Sequence, residues 1–208
     1  MSTSRSLAEA IRREVAALVR LPVVTDTGQN VVSSPTTLVR TKTSTWLADY
    51  QASSNTLPAN DTPAWVEYQA GNATQAVTTG VLTITSNATT DSLFNYVTLS
   101  GLDASKGSLI EARLCVTTDA AAVNGGACLA VFDGSRLSVV WLRTDGLNVD
   151  GSADVPVTLS DAEHRVAMHV QGDAVSVYVD SELVQTGQPA TSTTLEAAAF
   201  GSWVDATP

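Results

Sequence analysis

The chain has 208 residues, 44% of them apolar and only 15% charged, with a formal net charge of −10. That length allows one substantial domain with a real core, under a surface made largely of Ser, Thr, Ala, Asn and Gln. The acidic balance argues against a nucleic-acid partner, which needs clustered Lys and Arg, and no apolar run approaches the ~20 residues of a membrane-spanning helix.

Residues 1–22 predict an amphipathic helix from Ser6 to Leu21. Ser6 and Glu9 have capping-box spacing, Pro22 ends the segment, and Ile11, Val15 and Leu18 form an apolar stripe opposite Arg12, Arg13 and Arg20. A lone helix of this length is marginal in water. It must therefore pack on its own domain, on a copy of itself or on a larger scaffold, and is expected to dock outward through Ile11, Val15 and Leu18. Its charges also interrupt the apolar stretch that a secretory leader needs. Residues 23–43 are rich in Thr, Ser and Val without helical period, and read as an extended linker with short strands at Asn30–Ser33 or Thr37–Arg40.

Residues 44–208 show short strands separated by turn residues, the pattern of a β-sandwich. The expected strands are Thr45–Tyr50, Ala64–Gln69, Val81–Thr85, Phe94–Leu99, Leu109–Thr117, Ala127–Phe132, Leu137–Arg143, Arg165–Gln171, Ala174–Val179 and Leu183–Thr186. Two hairpins have a specific register. A two-residue Gly172-Asp173 turn pairs Val170 with Val175, Met168 with Val177 and Val166 with Val179, so one face is apolar throughout. His169, Ser176, Ala167 and Tyr178 then share the other face. A second hairpin, through Asn124-Gly125-Gly126, pairs Leu114 with Leu129 and Ala112 with Val131. That register sets Cys115 opposite Cys128, as a disulfide or as adjacent thiols.

Several stretches carry a family resemblance: Trp65 with Gly80-Val81-Leu82-Thr83-Ile84, Ser108–Leu114, Phe132-Asp133-Gly134, and His164–Asp180 with its strand, Gly turn and strand. Together they resemble the concanavalin A-like lectin/glucanase group, the jelly roll shared with laminin G-like domains. The resemblance covers residues 44 to the end. It implies a mainly β, antiparallel two-sheet jelly-roll sandwich, preceded here by one short N-terminal α-helix. Ser181 stands where the family usually has Gly after Val-Asp.

Glucanases on this fold carry Glu-x-Asp-x-x-Glu, whose carboxylates act as nucleophile and acid. That spacing is missing, as are Gly-x-Ser-x-Gly and a phosphate-cradling Gly loop, so no catalytic residues are assigned and no enzyme is expected. The two histidines, His164 and His169, are five apart and on a strand point to opposite faces. The cysteines lack Cys-x-x-Cys spacing. No metal and no cofactor are therefore expected, and Asp103, Asp119, Asp145, Asp150 and Asp154 read as turn formers. On the 137–143 strand, Trp141 and Arg143 share the face away from Val140 and Leu142. With Tyr178 they are the candidate ligand-binding residues, for a sugar or for a protein surface.

The functional expectation is a non-enzymatic structural or adhesive virion protein of a tailed phage: a decoration, fibre or tail-associated component assembled in the host cytoplasm. Its partners would be copies of itself or other virion proteins held through the helix, and a cell-surface glycan; nucleic acid and membrane are excluded. The alternative is a carbohydrate-binding module of a bacterial surface or secreted protein.

Overall fold

The computed structural model describes residues 47–204, apart from 53–54, 87–90, 103–104, 120–124 and 190, and three short strands nearer the N-terminus. The expected helix, with Ile11, Val15 and Leu18, lies outside the described residues.

The described chain is β-structure in two main sheets that face each other. The first sheet has five strands in the order β1 (Val23–Thr25), β8 (Ser108–Leu114), β13 (His164–Gln171), β14 (Ala174–Val179) and β15 (Glu182–Gly187). The second runs β12 (Val155–Pro156), β11 (Gly146–Val149), β10 (Arg136–Leu142), β9 (Gly125–Asp133), β17 (Glu196–Val204), β7 (Ser92–Thr98) and β4 (Val66–Ala70). An eighth strand, β16 (Thr191–Ser192), pairs with the start of β10. Two hairpins stand apart from these sheets: β2 (Val31–Ser33) with β3 (Leu38–Arg40), and β5 (Thr74–Thr78) with β6 (Val81–Thr85). The stretch read as linker thus supplies an edge strand, β1, which pairs Val23–Thr25 with Ser108–Ile110 of β8.

Strand alternation builds the core. Ile110, Ala112, Val166, Met168, Val170, Val175 and Val177 point inward from the five-stranded sheet, and Leu129, Val131, Val140, Leu142, Leu147, Val149, Ala198 and Phe200 from the larger one. Phe200 packs edge-on to Trp65 at 5.0 Å and stacks on Tyr50 at 6.0 Å, a geometry that aromatic quadrupoles favour. Gln185 links the two sheets at one edge. Its Oε1 accepts from the Val149 amide at 2.8 Å and its Nε2 donates to the Ala153 carbonyl at 2.8 Å, which satisfies a side chain otherwise costly to bury.

The β13–β14 hairpin has the register expected from its sequence, rung by rung. The expected hairpin between β8 and β9 does not form. β8 pairs with β1 and β13, whereas β9 pairs with β10 and β17 in the other sheet. Alternating apolar residues on two strands match equally well side by side in one sheet or face to face across a sandwich, and here they meet face to face. The chain between Leu114 and Gly125 is long enough to cross the ~10 Å between packed sheets. Cys115 and Cys128 therefore do not pair: both thiols are free, the first exposed and the second buried. Nor do the described residues 47–50 form the end of a first strand. Ala48, Tyr50 and Ala52 are buried in an irregular segment that turns back, with the Tyr50 hydroxyl donating to the Thr56 carbonyl. Strands β1, β5, β11, β12, β16 and β17 are additions to the sequence reading. The last occupies the middle of the larger sheet, where its Ala197-Ala198-Ala199 run lacks the β-branched residues that mark strands.

Candidate functional site

The larger sheet has a second apolar layer on the face turned away from the core. Register places Cys128 and Ala130 of β9 beside Gly201 and Ala199 of β17, so the middle of this face is floored by small side chains. Large rings flank that floor. Trp141 projects from β10 on one side, and Phe94 and Tyr96 from β7, with Tyr68 from edge strand β4, on the other. Trp203 stands near the end of β17, between the two groups. The rings form a continuous path: Tyr68 stacks on Phe94 at 4.7 Å, Phe94 meets Trp203 at 5.8 Å, and Trp203 meets Trp141 at 5.9 Å. Tyr96 joins Phe94 at 6.1 Å. The path runs from covered to open, since Trp141 is 2% exposed and Tyr68 47%.

Close backbone approach makes the floor possible. A Cβ at Gly201 would lie 2.4 Å from the Leu93 carbonyl oxygen and 2.5 Å from the Phe94 Cα, distances that real side chains do not reach. Gly201 also sits at φ +152°, and both features select glycine. Cys128 forms part of the same floor. Burial pushes its thiol up to about 12, against a smaller opposing effect of a backbone hydrogen bond at Trp203, so the sulfur is an inert packing group at neutral pH.

A polar group closes the β11 end of the face. The Trp141 indole N–H donates to Asp150 Oδ1 at 3.0 Å. Asn148, cross-strand neighbour of Trp141, donates through Nδ2 to Asp154 Oδ1. Arg143 Nε lies 3.8 Å from that same Asp154 oxygen. Asn148 Oδ1 is buried without a hydrogen-bond partner.

The three candidate ligand residues are therefore divided. Trp141 and Arg143 lie at one end of the aromatic face, as their alternation implied, but Trp141 is a covered wall rather than an open platform. Tyr178 is on the other sheet. It is 2% exposed and packed with Leu109, Ala167 and Leu183 on the outer face of β8, β13, β14 and β15. Sequence reasoning missed Tyr68, Phe94 and Trp203, because the strands that carry them become neighbours of β10 only through the order β10-β9-β17-β7-β4. Among the described residues, no group of three or more His, Cys, Asp or Glu side chains is arranged to hold a metal ion.

No protein-family model and no curated protein matches this chain. Solved structures with a similar arrangement include a β-glucanase of Bacillus licheniformis, 16% identical, covering 70% of this chain and 82% of that one with a TM-score of 0.47. An apo Crh5 transglycosylase is 16% identical over 76% of this chain and 71% of its own, TM-score 0.39. An alginate lyase of Corynebacterium sp. is 18% identical over 88% and 82%, TM-score 0.33. These are concanavalin A-like jelly-roll sandwiches, and the paired sheets of this chain are consistent with that fold. They also correct the functional expectation. By their names the similar structures are a glucanase, a transglycosylase and a lyase, and the expectation of a non-enzymatic virion protein is not carried further.

Proposed function

We propose that this protein recognises a glycan on the outer face of its eight-stranded sheet. One observation carries the reading: the ring path Tyr68–Phe94–Trp203–Trp141 over a floor of Cys128, Ala130, Ala199 and Gly201. A pyranose presents a flat patch of C–H groups edged by hydroxyls. Aromatic rings that cover area at little entropic cost suit that patch, and the outermost of them, Tyr68, is 47% exposed. Tyr68 and its strand neighbour Val66, 47% and 48% exposed, leave the β4 end of the path open to a ligand.

The test is electrophoresis of the protein through gels containing soluble polysaccharides, with released reducing ends read on the same polymers. At least one polymer should retard the protein, and Tyr68→Ala should weaken that retention about tenfold, the effect of losing one ring contact of about 1.4 kcal/mol. Retention that is unchanged in Tyr68→Ala and in Trp203→Ala, both checked for folding by circular dichroism, would overturn the assignment.

A further inference from the structure

The polar group at the β11 end of this face supports a narrower statement, which rests on the glycan reading above. We infer that Asp150, Asp154 and Asn148 make the face selective for uncharged sugars, accepting hydroxyl groups and rejecting carboxylated ones.

Hydrogen-bond inventory leads to the acceptors. Asp150 accepts the Trp141 indole N–H on Oδ1, and its other oxygen has no bond from the described residues. The rigid, buried Trp141 thereby fixes the carboxylate at the end of the ring path. Asn148 is 6% exposed, and its Oδ1 has no partner although its Nδ2 is committed to Asp154. A buried acceptor without a donor is costly, and a hydroxyl group from outside the chain can supply one. The Asp154 side chain beside it is 58% exposed, so this end of the face meets solvent. Each of these atoms accepts hydrogen bonds. A sugar hydroxyl can supply the proton, whereas a uronate carboxylate cannot.

Charge points the same way. Two carboxylates stand against one guanidinium, Arg143, and Asp154 already lies 3.8 Å from it. The aromatic path itself brings no cation. An anionic polymer would therefore meet like charge at this end, in a chain whose formal net charge is −10, and repulsion of that kind weakens as salt shortens its range.

The experiment uses a neutral polysaccharide that retards the protein, before and after oxidation of its C6 hydroxyls to carboxylates. Oxidation should lower retention at low ionic strength by about tenfold or more, with partial recovery in 0.5 M salt. Asp150→Asn keeps an oxygen for the Trp141 N–H but removes the charge. It should weaken retention by the neutral polymer several-fold and narrow the gap between the two polymers, and Asp154→Asn should narrow it further. Equal retention of native and oxidised polymer, or an unchanged ratio in both variants, overturns this inference while the glycan reading stands. Failure of every neutral polymer to retard the protein overturns the glycan reading itself.

Discussion

The two outer faces of the sandwich obey the same alternation and end as different surfaces. On the five-stranded sheet, Leu109, Ala167, Tyr178 and Leu183 make a small apolar patch. Beside it, Arg165 donates to Glu111 at 2.6 Å and to Ser181 at 3.2 Å. Tyr178 is sealed in, and the long polar side chains around it complete the surface. On the eight-stranded sheet the middle outward positions of β9 and β17 are Cys128, Ala130, Ala199 and Gly201, and aromatic rings gather around them. Residue size on the central strands makes the difference. On the larger sheet the small central residues leave space that rings from neighbouring strands fill, and the outermost ring, Tyr68, stays open.

This contrast is broken most directly by removing one tyrosine from each side. Tyr178→Ala takes out a fully packed ring and should cost about 3 to 4 kcal/mol in urea unfolding, with glycan retention of the remaining folded protein unchanged. Tyr68→Ala should do the reverse: about 1 kcal/mol of stability, from the stacked contact with Phe94, together with the loss of retention. Equal losses of stability from the two variants would mean that the faces do not differ as described.

The next effect separates two glycines. Gly201→Ala would force a methyl group onto the Leu93 carbonyl and the Phe94 Cα, displacing Phe94 from its place between Tyr68 and Trp203. It should cost roughly 3 kcal/mol and weaken retention as well. Gly172, in the β13–β14 turn, has φ +56° but open space around its missing Cβ. Gly172→Ala should therefore cost only the left-handed backbone penalty, about 1 kcal/mol, with no effect on retention. Matched urea titrations with retention assays measure both.

How far the sequence disclosed these faces follows from the same physics. The β13–β14 hairpin was legible because it is local: every inward rung is apolar and Gly172-Asp173 fixes the register. The outward placement of Trp141 was legible from alternation alone. What surrounds Trp141 was not, since Phe94 and Trp203 are far from it in sequence and meet it through β17, a strand disguised by three alanines. Pairing Cys115 with Cys128 failed for a related reason: periodicity says which residues face inward and not which sheet they belong to. Asp150 and Asp154 read as turn formers because their position at the end of the aromatic path depends on that same non-local order.

The smallest effect concerns pH, and it too divides the faces. At the start of β13, on the five-stranded side, His164 holds a carboxylate on each ring nitrogen: Asp161 on Nε2 and Asp180 on Nδ1, both at 2.8 Å. Both nitrogens can donate only when the ring is an imidazolium. The hydrogen bond to Asp161, then that to Asp180, raises the His164 pKa above its ordinary value, and the same contact lowers that of Asp161. Arg165 adds a cation nearby, its backbone amide donating to Asp180, while Glu163 is engaged by Arg113 at 3.5 Å. Because the folded histidine binds its proton more tightly than the unfolded one, its contribution is complete below about 6.5, the ordinary histidine value. That contribution is lost as pH climbs through the raised folded value. The Asp161 contribution has the opposite sense, present above the ordinary carboxylate range and lost as pH falls through its lowered value. The stability gap between wild type and His164→Gln, taken from urea midpoints, should therefore be widest near pH 5 to 6 and close toward pH 9. Glycan retention should not follow that curve, since no histidine stands among the rings or the Asp150 group. A gap that stays constant across this range would show that the bracketed histidine carries no charge in the folded protein. A retention curve that tracks the gap would show that the two faces are coupled through the core.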